Sequence, residues 1–279
     1  MHNKKVLGIG YGKMGNLYAR YVTSMGASYN YYDPYVSQNS NAVDSIDFLD
    51  DYSHIIISTP PETHFDLYSK VVDTGFTGSI YIDKPVVTSP KYQQQVFMDK
   101  RVFCGMTERF NPVVSFLKNT LNKHKIISAK FTRCYSAPET MDTPVLFDLG
   151  IHDIDLYMYL FDKTIIPVKY EVFEKDKTCC LLLKQQDGAI FFFEWSHNSF
   201  KSERKIVIMQ SDVVYEVDLV DQTIVAYKAG GVVENLYVEK GSTIKAVMRE
   251  FLRGGSCSSV EAHKFMFRVI CKIYLGRGL

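Results

Sequence analysis

A glycine motif near the start of the chain constrains its fold more strongly than any other feature. Residues 6–9 form a short apolar run, and Gly10, Gly12 and Gly15 then give the pattern GxGxxG. Residues 16–25 follow with helical spacing and no proline. The motif therefore predicts a strand, a tight turn and a helix. Gly10 permits the turn, Gly12 lets a pyrophosphate approach the backbone, and Gly15 lets the helix pack closely on the strand.

An acidic residue follows this motif at the spacing expected of a dinucleotide site. A second strand-like run, 27–32, leads into Asp33, where a carboxylate can accept hydrogen bonds from ribose hydroxyls. The free N–H groups at the start of the helix would bind the phosphates. No arginine occurs in 34–40 to neutralise a 2′-phosphate, which favours NAD over NADP as the cofactor. The alternative is a glycine-rich turn that binds nothing.

Composition narrows the class of protein. The 279 residues include 32 Lys and Arg against 31 Asp and Glu, without a long basic run, so neither nucleic acid nor a membrane is expected as a partner. The cysteines lack the CxxC spacing of zinc sites, and we expect no metal. The first strand has no apolar signal region before it, and no apolar run reaches the ~18 residues of a membrane span. These features predict a cytoplasmic location.

Strand and helix patterns alternate five times over the first hundred-odd residues. The predicted strands are 6–9, 27–32, 54–58, 79–82 and 102–104, and the predicted helices are 16–25, 42–51, 64–73 and 89–100. This alternation predicts an α/β fold with a doubly wound parallel sheet, in which a ligand binds outside the carboxyl ends of the strands. The residues at those ends are Gly10, Asp33, Thr59, Lys84 and Gly105.

The pattern changes after residue 110. Helices are predicted over 111–122, 143–161, 243–252 and 260–275, and strands over 126–135, 168–173, 178–184, 189–195, 205–210, 213–219 and 223–227. This order predicts an α+β domain with an open, mostly antiparallel sheet. The chain is therefore divided into a dinucleotide-binding domain, 1–110, and a second domain, 111–279, whose last helix can pack back on the first.

Lys84 is the first candidate for chemistry. It stands between Asp83 and Pro85 at a predicted strand end, and the proline restricts the lysine backbone to extended conformations, which aims the side chain. An ammonium partly withdrawn from water can exchange a proton near neutral pH. The alternative is a solvated surface lysine.

A second group of candidates lies in the predicted helix 143–161. Asp148, His152 and Asp155 are spaced four and then three residues apart, which places them along one helix face. Gly150 in the helix interior costs about 1 kcal/mol relative to alanine, so something is expected to approach the backbone closely there. His152, positioned by Asp155 or Asp148, can exchange a proton with a substrate hydroxyl or carbonyl. The alternative is a polar stripe that faces water.

Three further residues leave more than one interpretation open. His64 either lines the cofactor site or satisfies the start of its helix. Arg109 and Tyr135 are candidates for substrate contact, and Arg109 can equally form an ion pair between the domains.

The strand pattern at 190–195 predicts self-association. Apolar residues occupy both of its alternating sets, so neither face of this strand is suited to water. Helices of the same domain can cover one face, and a second copy of the chain can bury the other. The alternative is that the C-terminal helices or a loop cover the second face.

Five motifs in order resemble the Gfo/Idh/MocA oxidoreductases, which include inositol dehydrogenase and glucose fructose oxidoreductase. They are GxGxxG at 10–15, Thr59-Pro60 with His64, Asp83-Lys84-Pro85, Arg-Phe-x-Pro at 109–112, and DxGxHxxD at 148–155. The resemblance implies a Rossmann domain with an open-sheet domain, and hydride transfer between NAD(H) and a sugar, nucleotide sugar or cyclic polyol. It also implies homodimers or homotetramers built on the sheet.

The resemblance also assigns roles to single residues. It implies that Lys84, Asp148 and His152 are catalytic, and that the substrate is bound by Arg109, Tyr135, Asp148 and His152. The expected cofactor-binding residues are Gly10, Gly12, Lys13, Met14, Gly15, Asp33, Thr59, Pro60, His64, Asp83 and Lys84.

Two departures from the family pattern leave the substrate open. The triplet at Lys84 usually begins with glutamate rather than aspartate, and the chain is short for the family. The alternative functions are reduction of a biliverdin-type tetrapyrrole and NAD sensing without turnover. Retention of Lys84 and His152 argues against the sensor, which needs neither.

Overall fold

The computed structural model describes residues 4–36, 39–138, 143–162, 169–175 and 177–275. The chain divides into two compact units. The first unit comprises Met1–Thr107 and Ser242–Val260, and the second comprises Glu108–Gly241 and Glu261–Leu279.

The first unit is built on a parallel sheet. Its elements are β1 (Lys5–Ile9), α1 (Lys13–Ser24), β2 (Ser28–Tyr32), β3 (His54–Ile57), α2 (His64–Asp73), β4 (Ser79–Ile82), α3 (Gln93–Met98), β5 (Val102–Cys104) and α6 (Thr243–Leu252). The sheet has the order β2-β1-β3-β4-β5, and every neighbouring pair of strands is parallel. The predicted doubly wound parallel sheet is therefore confirmed.

The central strands are buried because their sequences are apolar on both faces. Ile55, Ile56 and Ile57 of β3 have no exposed surface, and neither do Val6 and Leu7 of β1. The chain runs from β1 to β2 on one side and from β2 to β3 on the other side of β1. This reversal of direction is where ligands bind in sheets of this kind.

The helix predicted over 42–51 is wrong. Residue Ala42 instead pairs with Tyr31 in an isolated parallel bridge beside β2, and Val43 N–H donates to the Tyr31 carbonyl at 2.9 Å. Beyond it, the Ser45 hydroxyl accepts from the Asp47 amide at 3.2 Å. Hydrogen bonds between serine side chains and the local backbone compete with helix formation, and Ser45 makes such a bond here.

Helix α6 belongs to the first unit, whereas the predicted division at residue 110 assigns it to the second domain. The reason is aromatic packing: the Phe251 ring lies edge-on to Tyr81 and Phe103, with centroid distances of 5.6 and 5.7 Å. At the start of the helix, the Ser242 hydroxyl bonds the Tyr21 hydroxyl at 2.9 Å.

His54 is a buried titratable group in this core. Its side chain lies beside the Phe251 ring, and Nδ1 is 2.9 Å from the Ser53 hydroxyl. Burial, together with the charge of Lys4, lowers the pKa of His54 from 6.5 to about 4. The folded chain therefore holds His54 neutral in a pH range where the unfolded chain protonates it.

We expect His54 to make stability fall in mild acid. Its contribution is fully present above about pH 6.5 and is lost as the pH falls toward about 4, with a limit of ~3 kcal/mol in the free energy of unfolding. Denaturant titrations of the wild type and His54→Phe across this range test the expectation, because phenylalanine keeps a ring but does not titrate. Equal pH dependence in both proteins would contradict it.

The second unit is built on an eight-stranded sheet. Its elements are α4 (Pro112–Thr120), β6 (Ile126–Ser136), α5 (Ile151–Phe161), β7 (Lys169–Lys175), β8 (Thr178–Lys184), β9 (Ile190–Ser196), β10 (Asn198–Gln210), β11 (Val213–Asp218), β12 (Thr223–Lys228), β13 (Val232–Leu236) and α7 (Val260–Leu275). The sheet order is β13-β12-β11-β10-β6-β9-β8-β7, and only the β6–β9 pair is parallel among the pairs described.

The predicted open, mostly antiparallel sheet is confirmed, with two additions. Strand β13 and the first part of β10, before residue 205, have no counterpart in the predicted strands. Residue 168, the predicted start of β7, lies outside the described residues.

A buried ion-pair network joins α5 to this sheet. Arg133 of β6 donates to Asp153 of α5 from Nε at 3.0 Å and from Nη2 at 2.8 Å, and to Glu108 from Nη1 at 2.9 Å. The other oxygen of Asp153 accepts from Trp195 Nε1 at 2.9 Å. Because buried charges are stable only when paired, this network fixes the register of α5 on the sheet.

The two faces of the eight-stranded sheet differ in exposure. Phe191, Phe193 and Trp195 of β9 are fully buried, and the Phe191 ring packs on Tyr157 and Phe161 of α5. Residues on the opposite face of the sheet are partly exposed. They include Leu182, Ile190, Met209, Tyr227 and Val233, with exposures between 38% and 56%.

Within the described residues, no helix has both the length and the apolar character needed to cross a lipid bilayer.

Candidate functional site

A cavity of about 800 Å³ opens in the first unit. It lies at the carboxyl ends of β1, β2, β3 and β4, where the sheet order reverses around β1. Eight predicted cofactor-binding residues line it: Gly10, Gly12, Lys13, Met14, Asp33, Thr59, Pro60 and Asp83. Gly15, His64 and Lys84 are not among its lining residues. The structure thus brings most of the predicted nucleotide site together.

Each glycine of the motif has the environment that its predicted task requires. Gly10 has a φ of +92°, a left-handed conformation that permits the turn. A Cβ at Gly15 would lie 2.1 Å from the carbonyl oxygen of Gly10, so only glycine lets α1 start this close to the sheet. A Cβ at Gly12 would meet no protein atom within 4 Å. Its only effect would be to fill space in the cavity that Gly12 lines.

Asp33 is held by backbone amides at the end of β2. Its Oδ2 accepts from the Tyr11 N–H at 2.8 Å, and its Oδ1 accepts from the Tyr35 N–H at 2.9 Å. These bonds tie the acidic residue to the glycine turn and keep the carboxylate oriented at the cavity. Its side chain is only partly buried, so its remaining lone pairs are within reach of a ligand.

His64 lies behind the cavity and has no exposed surface. Its Nδ1 is 2.9 Å from the Pro85 carbonyl oxygen, and its Nε2 is 2.9 Å from the Thr59 carbonyl oxygen. The ring therefore links the segment after β3 to the segment after β4. This bridging position adds a structural role to the two interpretations drawn from the sequence.

Asp83 and Lys84 follow β4. Asp83 Oδ1 accepts from the backbone N–H of Lys84 at 2.8 Å, and Asp83 Oδ2 accepts from the Tyr18 hydroxyl at 3.0 Å. The Lys84–Pro85 peptide bond is cis. Lys84 is partly buried rather than fully solvated.

In the second unit, a π-helical turn, Leu146–Gly150, precedes α5 and carries Asp148. Turns of this kind are rare and occur often at functional sites. The Asp148 carboxylate accepts from the Tyr135 hydroxyl at 2.9 Å, and the same oxygen is 3.0 Å from Nε2 of His197. Tyr135 of β6 and His197, which follows β9, therefore meet at the carboxylate of Asp148 on the π turn.

Tyr135 acts as a donor in this cluster. Burial, and then the charge of Asp148, raise the pKa of Tyr135 to about 12, so the hydroxyl keeps its proton at neutral pH. His197 was missed by the sequence reasoning. It stands alone after β9 and belongs to no motif, so only the pairing of β6 with β9 brings it to Asp148.

Arg109 and Asp155 form a bidentate ion pair within the second unit. Arg109 Nε donates to Asp155 at 2.7 Å and Nη2 donates at 2.5 Å, and Asp155 is almost fully buried. Both Asp155 oxygens are thus engaged by Arg109. Asp148 and Asp155 therefore serve different partners, although their spacing predicts one helix face.

The close neighbours predicted at Gly150 are Leu146, in the same π turn, and Trp195. A Cβ at Gly150 would lie 3.5 Å from two atoms of the indole ring and 3.1 Å from Leu146 Cδ2. The tight contact is therefore with the Leu146 side chain, whereas the indole lies at ordinary van der Waals distance and donates to Asp153.

No group of three or more His, Cys, Asp or Glu side chains suited to a metal ion occurs in the described part of the chain.

Solved structures of other proteins share this fold. A UDP-N-acetylglucosamine 3-dehydrogenase from Acidithiobacillus ferrooxidans is 19% identical and has a TM-score of 0.85, with 97% of this chain and 96% of that chain covered. A dehydrogenase from Clostridium difficile is 15% identical, has a TM-score of 0.79, and is matched over 97% of this chain and 100% of its own.

A levoglucosan dehydrogenase solved in complex with NADH is 14% identical, with a TM-score of 0.79 and 96% of each chain covered. No family model and no curated protein sequence matches the chain. At these identities the likeness establishes the fold, which spans nearly the whole chain and agrees with the resemblance drawn from the motifs. The protein thus has the two-part fold of these dehydrogenases.

Proposed function

We propose that the chain is an NAD-dependent oxidoreductase. It transfers a hydride between NAD(H) and a hydroxyl- or carbonyl-bearing carbon of a sugar, nucleotide sugar or cyclic polyol. The observation that carries this proposal is the cavity at the reversal of the parallel sheet, with a glycine turn at one strand end and Asp33 at the next.

The cavity residues fit a dinucleotide. The open space beside Gly12 and the N-terminus of α1 suit the pyrophosphate, and Asp33 suits the ribose hydroxyls on the adenosine side. When bound, NAD(H) supplies or accepts the hydride, and the protein supplies orientation and proton transfer.

We assign the proton chemistry to Lys84 and His152, the roles that the motif resemblance implies. In oxidation they accept the substrate hydroxyl proton, and in reduction they return it. The Asp148 carboxylate is held by Tyr135 and His197, and we assign it to orienting the substrate hydroxyl. Arg109 is a weaker candidate for substrate contact, since Asp155 already engages its guanidinium.

The substrate class rests on the proteins that share the fold. One is a UDP-N-acetylglucosamine 3-dehydrogenase, and another was solved with NADH and levoglucosan. The direct test is a screen of UDP-N-acetylglucosamine, levoglucosan and inositols with NAD⁺ or NADH, followed by nicotinamide absorbance. We expect turnover with at least one carbohydrate. Tight NADH binding without turnover on any carbohydrate would favour the sensor or a non-sugar reductase.

We expect the cofactor site to prefer NAD(H) over NADP(H) by about tenfold or more, because a 2′-phosphate would meet the charge of Asp33. Calorimetric titration of the wild type, Asp33→Asn and Asp51→Asn tests this preference. Asp33→Asn should reduce the preference. Asp51→Asn is the control: it removes a charge that pairs with Lys5 outside the cavity, and it should leave the preference for NAD(H) unchanged. Equal affinities for both cofactors in the wild type would refute the role of Asp33.

We also propose a cytoplasmic location. The five cysteines whose side chains are described are all free thiols, which suits a reducing compartment.

We further propose that two copies of the chain pair through the exposed face of the eight-stranded sheet. Leu182 of β8 stands opposite Phe192 of β9 on this face, and both are partly exposed. The same face carries a polar pair, Lys130 and Glu194, with N···O 3.0 Å apart. An apolar patch with polar groups among it is suited to a partner surface.

We expect light scattering after size exclusion to give a mass of at least twice the 32.0 kDa monomer. Leu182→Lys should shift the protein toward the monomer, because it places a charge in the paired surface. Met98→Lys is the matched control, since Met98 is an exposed apolar residue of α3 in the first unit. A wild-type protein that stays at the monomer mass at micromolar concentration would rule out the pairing.

A further inference from the structure

Two buried tyrosines and the partly buried Asp83 form a hydrogen-bonded series beside the cavity. The Tyr18 hydroxyl of α1 is 3.2 Å from the Tyr81 hydroxyl of β4 and donates to Asp83 Oδ2 at 3.0 Å. Tyr18 and Tyr81 have no exposed surface, whereas Asp83 lines the cavity. These hydrogen bonds therefore connect helix α1 to the Asp83 carboxylate, which a ligand in the cavity can reach.

The direction of these hydrogen bonds follows from the chemistry of the groups. An ionised carboxylate only accepts, so Tyr18 must donate to Asp83. Its oxygen is then left to accept from the Tyr81 hydroxyl. Burial raises the pKa of both tyrosines, so both keep the protons that this arrangement needs.

The charge on Asp83 depends on these donors. Burial raises the pKa of the Asp83 carboxyl, whereas the Lys84 amide, the Lys84 ammonium, the Tyr18 hydroxyl and the charge of His64 lower it, in that order. The groups facing Asp83 are thus Tyr18 from α1, Tyr81 from β4, His64 from α2 and the adjacent Lys84. Among the groups that lower the pKa of Asp83, Tyr18 is the one that is uncharged and comes from a part of the sequence far from residue 83.

Asp83 and Asp33 lie at different strand ends of the same cavity, Asp83 after β4 and Asp33 after β2. Since Asp33 suits the adenosine ribose, Asp83 lies toward the nicotinamide end. We infer that Tyr18 is a positioning residue that holds the Asp83 carboxylate at the nicotinamide end and thereby favours the oxidised cofactor, NAD⁺, over NADH. This inference rests on the proposed function.

The physical reason is the difference in charge between the two cofactor forms. The nicotinamide ring is cationic in NAD⁺ and neutral in NADH, so a nearby carboxylate attracts the first only. The shorter aspartate, in place of the glutamate typical of the resembling family, reaches the Lys84 amide with one oxygen and Tyr18 with the other. Loss of the Tyr18 hydroxyl would leave the second oxygen without this donor.

The test is calorimetric titration of wild type and Tyr18→Phe with NAD⁺ and with NADH. We expect Tyr18→Phe to weaken NAD⁺ binding about 5- to 10-fold near pH 6 and NADH binding less than about twofold. Removing the donor raises the pKa of Asp83, so the carboxylate charge is lost at a higher pH than in the wild type as the pH falls. The difference between the proteins should therefore shrink as the pH rises.

Tyr68→Phe is the matched control. Tyr68 is also buried in the first unit and its hydroxyl donates to an aspartate, Asp99, at 2.9 Å, but neither residue lines the cavity. Tyr68→Phe should lower the free energy of unfolding about as much as Tyr18→Phe does, without changing the preference for NAD⁺ over NADH. Tyr81→Phe removes the donor to Tyr18 and should have a smaller effect in the same direction as Tyr18→Phe.

The outcomes separate this inference from the proposed function. A wild-type protein that binds neither NAD⁺ nor NADH would overturn the proposed function, and the inference with it. A wild type that binds both, with Tyr18→Phe weakening both equally or neither, would overturn the inference alone.

Discussion

Replacing Lys84 by methionine is expected to lower turnover by about 10²- to 10⁴-fold while leaving NAD⁺ affinity nearly unchanged. Lys84 follows the strand end of β4, and it is absent from the cavity lining that would hold the pyrophosphate. Its proposed role concerns the substrate proton, so the loss should appear in kcat rather than in cofactor binding. Steady-state kinetics on a confirmed substrate, together with NAD⁺ titration, measure both quantities.

The companion variant is His152→Asn, which should lower turnover less and shift its pH profile, because Lys84 remains. Wild-type rates in Lys84→Met would refute the acid–base assignment. A large loss of NAD⁺ affinity in that variant would instead place the lysine in cofactor binding.

Replacing Asp153 by asparagine is expected to cost about 3–5 kcal/mol in the free energy of unfolding. Asp153 is 2% exposed and accepts two hydrogen bonds from Arg133, which is itself 2% exposed. The variant leaves a buried guanidinium with Glu108 as its remaining close carboxylate. Differential scanning calorimetry should show a fall in Tm of about 10 °C or more for a unit of this size.

The control for this prediction is Glu234→Gln. It breaks the ion pair with Lys228 on β12 and β13 of the same sheet, where both side chains are more than 40% exposed. Exposed pairs contribute about 0–1 kcal/mol, so its Tm should stay close to that of the wild type. A similar fall in Tm for Asp153→Asn and Glu234→Gln would mean that burial does not set the strength of the Arg133 network.

The features predicted correctly from the sequence are those encoded by neighbouring residues. The glycine turn at 10–15 and Asp33 depend on local backbone geometry and on one strand pairing, so their spacing alone points to them. The failed helix at 42–51 had suitable apolar spacing. The Ser45 hydroxyl bonds the local backbone instead, and the pairing of Ala42 with Tyr31 then directs the chain along the sheet.

The partners of the candidate catalytic residues were harder to predict because they come from distant elements. Asp148 was identified by its motif, but His197 lies 49 residues away and joins it only through the sheet. Asp155 shares the spacing of Asp148 along the helix, yet Arg109 engages it. Sequence spacing predicts a helix face, whereas the contacts of each side chain depend on which strand passes beside it.

The division of the chain also has a consequence for engineering. The backbone passes from one unit to the other at three points, after Thr107, Gly241 and Val260. A fragment that ended at Thr107 would lack α6, and the rings of Tyr81 and Phe103 would lose their packing with Phe251. The first unit therefore cannot be transferred as one continuous segment, and a recombined gene would have to carry it as two separate stretches of coding sequence.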